Sequence, residues 1–459
     1  MTLPFKPVAL GSDLLLFVLL AVTAATVWLA LRDAPTRAAW RRVGQSRVGM
    51  AAATLLLVFV LLGVVDSFHY RLRLDGRPGQ PPAYAVEVQS ALDALLMPLK
   101  THSETTYSAP LATRLFAREN VEGPEGVQQR EFPRLKYGGA HLGAEGAGRA
   151  NDVALTALRG LGLAVLAWLV VAAALRFTVR GRHGEAPLAV DAVLATLAVL
   201  FLVGGPTAAL AQHYHVLGTD KVGADVLYLS LKSIRTGLLI GTLTTLVMLP
   251  AAVLLGILAG YVGGWVDDLI QYVYTTLNSI PAVLLIAAGV LMMQVAIDTH
   301  PQWFDTAAER ADARLLALCG ILGVTSWTGL ARLLRGESLK LRELDYVLAA
   351  QAFGVSRGAV MLRHILPNVM HIVLIATVMD FSGLVLAEAV LSYIDIGVDP
   401  TTISFGTMIN AARLELAREP VVWWTLAAAF VFMFALVLAA NLFADVVRDA
   451  FDPRAEAAK

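Results

Sequence analysis

The sequence predicts an all-α protein that crosses a membrane many times, and three observations carry that reading. Of its 459 residues, 57% are apolar and only 16% are charged, against about 45–50% and about 25% in soluble domains. The apolar excess is gathered into uncharged runs: Leu14–Leu31, Met50–Val65, Gly160–Leu175, Ala192–Ala211 and Leu426–Ala440. With their flanks these runs are long enough for a hydrocarbon core of about 30 Å. Basic residues, finally, gather in alternate loops, as the positive-inside rule requires of a polytopic chain.

Nine spans are expected, near 12–31, 48–66, 155–175, 188–210, 236–259, 281–297, 315–331, 370–392 and 422–444. The first follows Lys6, is too long for a signal-peptide core and ends at Arg32 rather than at a small-residue cleavage site, so it reads as a retained span. The 32–47 loop carries Arg32, Arg37, Arg41, Arg42 and Arg47. The 176–186 loop carries Arg176, Arg180 and Arg182. The 332–369 segment carries Arg332, Arg335, Lys340, Arg342, Arg357 and Arg363. By contrast, 298–314 and 393–421 mix arginines with Asp298, Asp305, Glu309, Asp312, Asp395, Asp399, Glu415 and Glu419. This asymmetry places the N-terminus outside and the C-terminus in the cytoplasm.

Residues 67–152 form a hydrophilic insert on the outer side, punctuated by turn signals at Arg77-Pro78-Gly79, Pro81-Pro82 and Gly123-Pro124. Val86–Lys100 and Thr106–Glu119 have helical spacing, which predicts a small folded cap. The expected organisation is a two-span extension (1–66), the insert (67–152), two further spans (153–211) and a core (212–455). His141-Leu142-Gly143, with Asp152-Val153 and Gly162-Leu163, echoes His215-Val216-Leu217-Gly218, with Asp225-Val226 and Gly237-Leu238. Coincidence in a Gly/Ala/Leu-rich chain and partial duplication both account for it.

Several classes are disfavoured. Lys+Arg and Asp+Glu both number 36, so no basic surface advertises nucleic acid. The single cysteine, Cys319, precludes an internal disulfide and multi-cysteine metal sites, and its apolar neighbours predict burial. A P-loop needs a Gly-Lys pair to cradle phosphate. None of the seven lysines (Lys6, Lys100, Lys136, Lys221, Lys232, Lys340, Lys459) follows a glycine. No hydrolase or zinc-protease motif is present, so the chain is not expected to be an enzyme. His213 and His215 flank Tyr214 but have no third ligand at metal-site spacing, so no metal is expected and both read as exposed loop histidines. Asp380 and Glu388 are the ionisable residues of the eighth span, about 80° apart around the helix. One reading puts Glu388 near the outer end and gives Asp380 a hydrogen-bond partner in the bundle. The other makes them a translocation path, or the proton relay of a secondary transporter.

The 332–369 segment is the informative stretch. Leu339–Phe353 reads as an amphipathic helix with Leu341, Leu344, Leu348 and Phe353 on one stripe. Gly354 suits the position just past its end, where positive φ costs glycine little. Ser356 caps a second helix, Ser356–Leu366, which Pro367 closes. Ala349, Ala350 and Ala352 would let another surface approach closely.

Tyr346–Ser356 followed by Arg363-His364-Ile365-Leu366-Pro367-Asn368 resembles the EAA loop of ABC importer permeases, in particular the dipeptide/oligopeptide type. Four further stretches resemble the same family in the same order. They are Leu217-Gly218-Thr219-Asp220 with Gly223 and Asp225-Val226; Gly260–Asp267 with Ser279-Ile280-Pro281; Ala387–Ser392 with Gly397, Pro400, Ser404-Phe405-Gly406 and Met408; and Arg448–Arg454. The chain departs from the pattern at Leu348, where the loop's glutamate would stand, at Ala224 for an arginine, and at Tyr272 and Thr275 for an arginine and an aspartate. The likeness covers about 212–455.

This resemblance implies a type I ABC importer permease-like helical core in the bacterial cytoplasmic (inner) membrane. It implies a second permease subunit, two cytoplasmic ATPase subunits that hold the ATP and Mg, and an extracytoplasmic solute-binding protein, with no cofactor in this chain. Ala349, Ala350, Gly354, Val355 and Ser356 are then expected to meet the ATPase, with Arg363, Ile365 and Pro367 holding the second helix. Peptides are the implied cargo, although members of the type also carry nickel and other small solutes. The alternative is a proton-coupled secondary transporter using Asp380 and Glu388, working with no ATPase partner.

Overall fold

The computed structural model describes residues 5–30, 32, 34–74, 83–122, 128–143, 148–180 and 188–451. Arg77-Pro78-Gly79, Pro81-Pro82, Gly123-Pro124, Arg182 and Asp452-Pro453-Arg454 lie outside the described residues.

Helices dominate, in the order α1 (Gly11–Ala30), α2 (Ala34–Gln45), α3 (Arg47–Asp66), α4 (Ala91–Leu95), α5 (Met97–Thr101), α6 (Arg149–Arg180), α7 (Val190–Leu210), α8 (Val226–Val262), α9 (Gly264–Ser279), α10 (Ala282–Thr299), α11 (Ala307–Leu341), α12 (Asp345–Ala352), α13 (Arg357–Val360), α14 (Leu366–Tyr393), α15 (Phe405–Arg413) and α16 (Trp424–Phe451). Among the described residues, nine helical segments are long and apolar enough to cross a membrane, and they fall on the nine expected spans. Short strands complete the chain. β1 (Phe5–Val8) pairs antiparallel with β2 (His69–Leu72), which pairs with β3 (Gln89–Ser90). β4 (Glu119–Glu122) and β5 (Gln128–Glu131) form a separate antiparallel pair.

The chain divides into two compact units. The first contains Met1–Val8, Gly44–Thr236 and Ile403–Ala439. Within it α6 and α7 pack backbone to backbone, because Gly160 and Gly205 face each other. A Cβ on Gly160 would lie 2.7 Å from the Gly205 carbonyl oxygen, so glycine sets the approach, as small residues do between membrane helices.

In the insert, Val86–Lys100 is helical only in part, in α4 and α5, which follow the strand β3. Thr106–Glu119 forms no helix and ends at the first residue of β4. Pro110 cannot donate to a helix, and the segment instead spends its backbone groups on a distant loop, with Leu111 donating to the His215 carbonyl at 2.9 Å and Ser108 accepting from Thr219 at 3.1 Å.

The second unit contains Ala9–Val43, Gly237–Thr402 and Ala440–Lys459. Its core joins Met248, Ala252, Trp327, Leu334, Val347 and Val369, with a neighbouring cluster around Leu239, Leu318 and Cys319. Cys319 is buried, as expected. α8 and α11 meet at glycines: a Cβ on Gly256 would lie 2.7 Å from the Ala331 carbonyl, and one on Gly260 2.5 Å from that of Arg335.

Candidate functional site

The 332–369 segment folds as a helical elbow on the second unit. Leu339–Phe353 is two helices rather than one. α11 ends at Leu341, turns close through Glu343 and Leu344, and α12 starts at Asp345 with Leu344 extended. After α12, Gly354 has φ +76°. Its N–H donates to Gln351 at 3.0 Å and that of Val355 donates to Ala350 at 3.1 Å, the paired bonds of a Schellman cap. Ser356 caps α13 by accepting from the Ala359 N–H at 3.4 Å. Pro367 does not close the second helix. It is the second residue of α14, where its missing N–H leaves no bond unmade, and a π-turn at Met361–Ile365 joins α13 to α14.

Three anchors hold the elbow. Val347, Val360 and Ile365 are fully buried in the core beneath it. The Arg335 guanidinium donates to both oxygens of Asp267 at 2.6 and 2.7 Å, tying α11 to α9. The hydrogen bonds from Arg335 hold the Asp267 carboxyl below the usual carboxylate range, against the cost of burial. Gly263 and Gly264, both at positive φ, make the turn between α8 and α9 that presents Asp267. Two polar bonds finish the frame, Gln351 to the Tyr261 hydroxyl at 3.3 Å and Asn368 to the Tyr346 hydroxyl at 3.2 Å.

Of the apolar stripe read from the sequence, Leu341 packs against the core and the other three residues point outward. Phe353 is 89% exposed and Leu348 is 46% exposed, with Leu344 also exposed. Ala349, Gly354, Val355 and Ser356 are exposed and Ala350 is half-buried. Arg363 and Pro367 are exposed, while Ile365 belongs to the core. Ala349, Gly354, Val355 and Ser356 thus share the exposed side of the elbow, whereas Ala350 packs against the core beneath it. Beside them is a cavity of about 440 Å³ lined by Tyr261, Arg342, Leu348, Gln351, Val355 and Arg357. A Cβ on Gly354 would meet open space.

A second constellation, in the first unit, was not read from the sequence. His215 is 3% exposed, not an exposed loop histidine, whereas His213 is exposed. Its Nδ1 lies 2.7 Å from Asp225 and its Nε2 3.3 Å from Glu104. Glu104 also accepts from the N–H groups of Lys136, Tyr137 and Gly138 at 2.7, 2.8 and 3.1 Å. Burial opposes ionisation of both groups and is outweighed by these bonds, which hold Glu104 at about 2 and raise His215 to about 9. In the same unit Lys232 bonds Asp66 at 2.6 Å and Asp93 at 2.9 Å. Thr219 is held by Trp424, whose indole N–H donates to its carbonyl at 2.9 Å.

In α14, Glu388 is buried and accepts from Ser392 at 2.7 Å. Asp380 is half-buried and has no hydrogen-bond or ion-pair partner among the described residues, unlike the reading that gave it one in the bundle. Among these residues no cluster of His, Cys, Asp and Glu is arranged to hold a metal ion.

Residues 252–457 match the family described as the binding-protein-dependent transport system inner membrane component. The chain is 31% identical over 241 residues to the dipeptide transport system permease protein DppC of Lactococcus lactis, covering 52% of this chain and 64% of that relative. It is 30% identical to the oligopeptide transport system permease protein OppC of Mycobacterium tuberculosis, covering 52% of this chain and 76% of that protein. A putative peptide permease protein of Brucella suis is 30% identical, with 53% of this chain and 74% of the relative covered.

Proposed function

The chain belongs to the binding-protein-dependent transport system inner membrane components, and on that premise we propose that it is the membrane permease of an ATP-driven peptide importer, coupled to separate ATPases through the elbow at 332–369. It is a multi-pass helical membrane protein with nine candidate spans among its described residues.

The observation that carries the coupling assignment is the outward apolar stripe. Leu344, Leu348 and Phe353 stand exposed on a short helix whose opposite side is locked into the core by Val347. An exposed apolar surface on a rigid mount marks an interaction site. The arginines of 332–369 support a cytoplasmic position for this face, where an ATPase pair would press on Ala349, Ala350, Gly354, Val355 and Ser356. Because Val347 of α12 shares one buried core with Val360, Ile365 and Val369 of α13 to α14, movement of the ATPases would be passed into a membrane span as a lever. Leu348 gives this interface an apolar contact where the family pattern has a carboxylate. A second permease completes the path, a solute-binding protein delivers peptide from outside, and ATP with Mg is bound by the partners. Residues 1–211 are an accessory front end to a core at 212–455.

The test is to co-express the chain with its ATPases, second permease and binding protein. Gly354→Asp and Leu348→Arg are expected to lower ATP-dependent peptide uptake at least tenfold while the chain still reaches the membrane. Unchanged uptake in Gly354→Asp would remove the docking assignment. A wild-type chain that purifies without ATPase subunits in several mild detergents would remove the importer reading.

A further inference from the structure

We infer that Asp380 is a binding point for the ammonium group of the transported solute, an inference that rests on the importer reading above. Asp380 lies at the middle of α14, with about 20 Å of helix on either side at 1.5 Å per residue. A carboxylate at that depth is costly against lipid and is retained where it faces a water-filled path or a partner charge. The two acidic residues of this helix are treated differently by the fold. Glu388 is sealed in the protein and bonded to Ser392, so its charge is consumed locally. Asp380 is half-exposed and bonded to nothing among the described residues.

The neighbourhood leaves room for a ligand. Of the residues one turn away, Ala376, Thr377 and Gly383 are small and Leu384 is buried in the protein, while Thr377 spends its hydroxyl on the Val373 carbonyl at 2.7 Å. Gly383 is exposed, and a Cβ there would meet nothing within 4 Å. Met379, Leu386, Val390 and Tyr393 continue the exposed side of the helix and supply apolar contact. An acceptor-only group without a donor, set in an apolar surface beside open space, selects a small cation carried on an apolar body. The free amino terminus of a short peptide has that form.

The experiment uses the complete importer with Gly383→Cys as a reporter. Cys319 is buried and is the only native cysteine of this chain, so labelling of the chain by a membrane-impermeant thiol reagent reads position 383. Tri-alanine is expected to slow that labelling at least fivefold and N-acetyl-tri-alanine less than twofold. Adding Asp380→Asn is expected to abolish the difference. In otherwise unaltered importer, Asp380→Asn lowers tri-alanine import at least fivefold with the subunits still co-purifying, and Asp380→Glu retains most of it. The inference is overturned if the Gly383→Cys chain takes no label because lipid or the second permease covers that position, if both probes protect equally, or if protection survives Asp380→Asn. Failure of the importer reading is distinct, and is seen as wild-type import that persists without ATP.

Discussion

The Asp267–Arg335 pair shows how much one contact can fix. It is bidentate, mostly buried and placed where the turn after α8 delivers a carboxylate to the side of α11. Asp267→Asn removes one charge and leaves the guanidinium incompletely paired, and is expected to cost about 1–3 kcal/mol. Thermal unfolding in detergent reads it as a lowered midpoint. Because the folded-state carboxyl titrates below its ordinary range, the pair's contribution is present above that range and is lost as pH falls through the lowered pKa. Wild type and Asp267→Asn should therefore converge in acid. The sequence carries this aspartate in a Gly-Gly-Trp-Val-Asp turn, and only the fold supplies its partner, 68 residues later. Gly354 and Ser356 were legible for the opposite reason: their roles are local, one set by positive φ and the other by an N–H three residues on.

Element by element, apolar length was enough to place all nine spans. It could not say which way a short amphipathic helix turns. Leu344, Leu348 and Phe353 of the stripe face outward, and the core is reached by Val347 instead. Pro367 likewise looked like a terminator because sequence alone does not reveal the π-turn that resets helix numbering before it. Helix packing gives a sharper prediction. Gly260→Ala forces a Cβ against the backbone of α11 and should cost about 1–3 kcal/mol. Gly336→Ala, on α11 itself with nothing within 4 Å of its Cβ, should be neutral or slightly stabilising. Comparing the two midpoints separates close helix approach from helix propensity.

At the scale of the molecule, long-range polar contacts decide how the insert is held. His215 and Glu104 are 111 residues apart, beyond any local pattern, which is why His215 read as an exposed loop residue. The pair also sets a pH dependence. His215 rises from 6.5 to about 9, so its contribution is complete below 6.5 and is lost as pH climbs through 9. Glu104 falls from 4.5 to about 2, so its contribution is complete above 4.5 and is lost on acidification toward 2. The stability advantage of wild type over His215→Gln should be largest between 4.5 and 6.5 and shrink toward pH 9, measured by unfolding midpoint. The echo between 141–163 and 215–238 has a geometric counterpart here. His141 reaches Asp152 at 2.8 Å as His215 reaches Asp225 at 2.7 Å, each carboxylate standing at the start of the helix that follows.

The Glu104 cluster also bears on the order of synthesis. Residues 67–152 leave the ribosome well before His215, yet the carboxylate at their centre is completed by that histidine, and the Glu104 N–H donates to the Gly223 carbonyl at 2.9 Å. Three N–H donors to Glu104 come from within the segment, but the histidine arrives only after two intervening membrane helices and with the start of α8. The segment's final contacts therefore depend on correct insertion of α6 and α7. A chain in which that hairpin fails to insert would expose the unfinished segment to quality-control proteases.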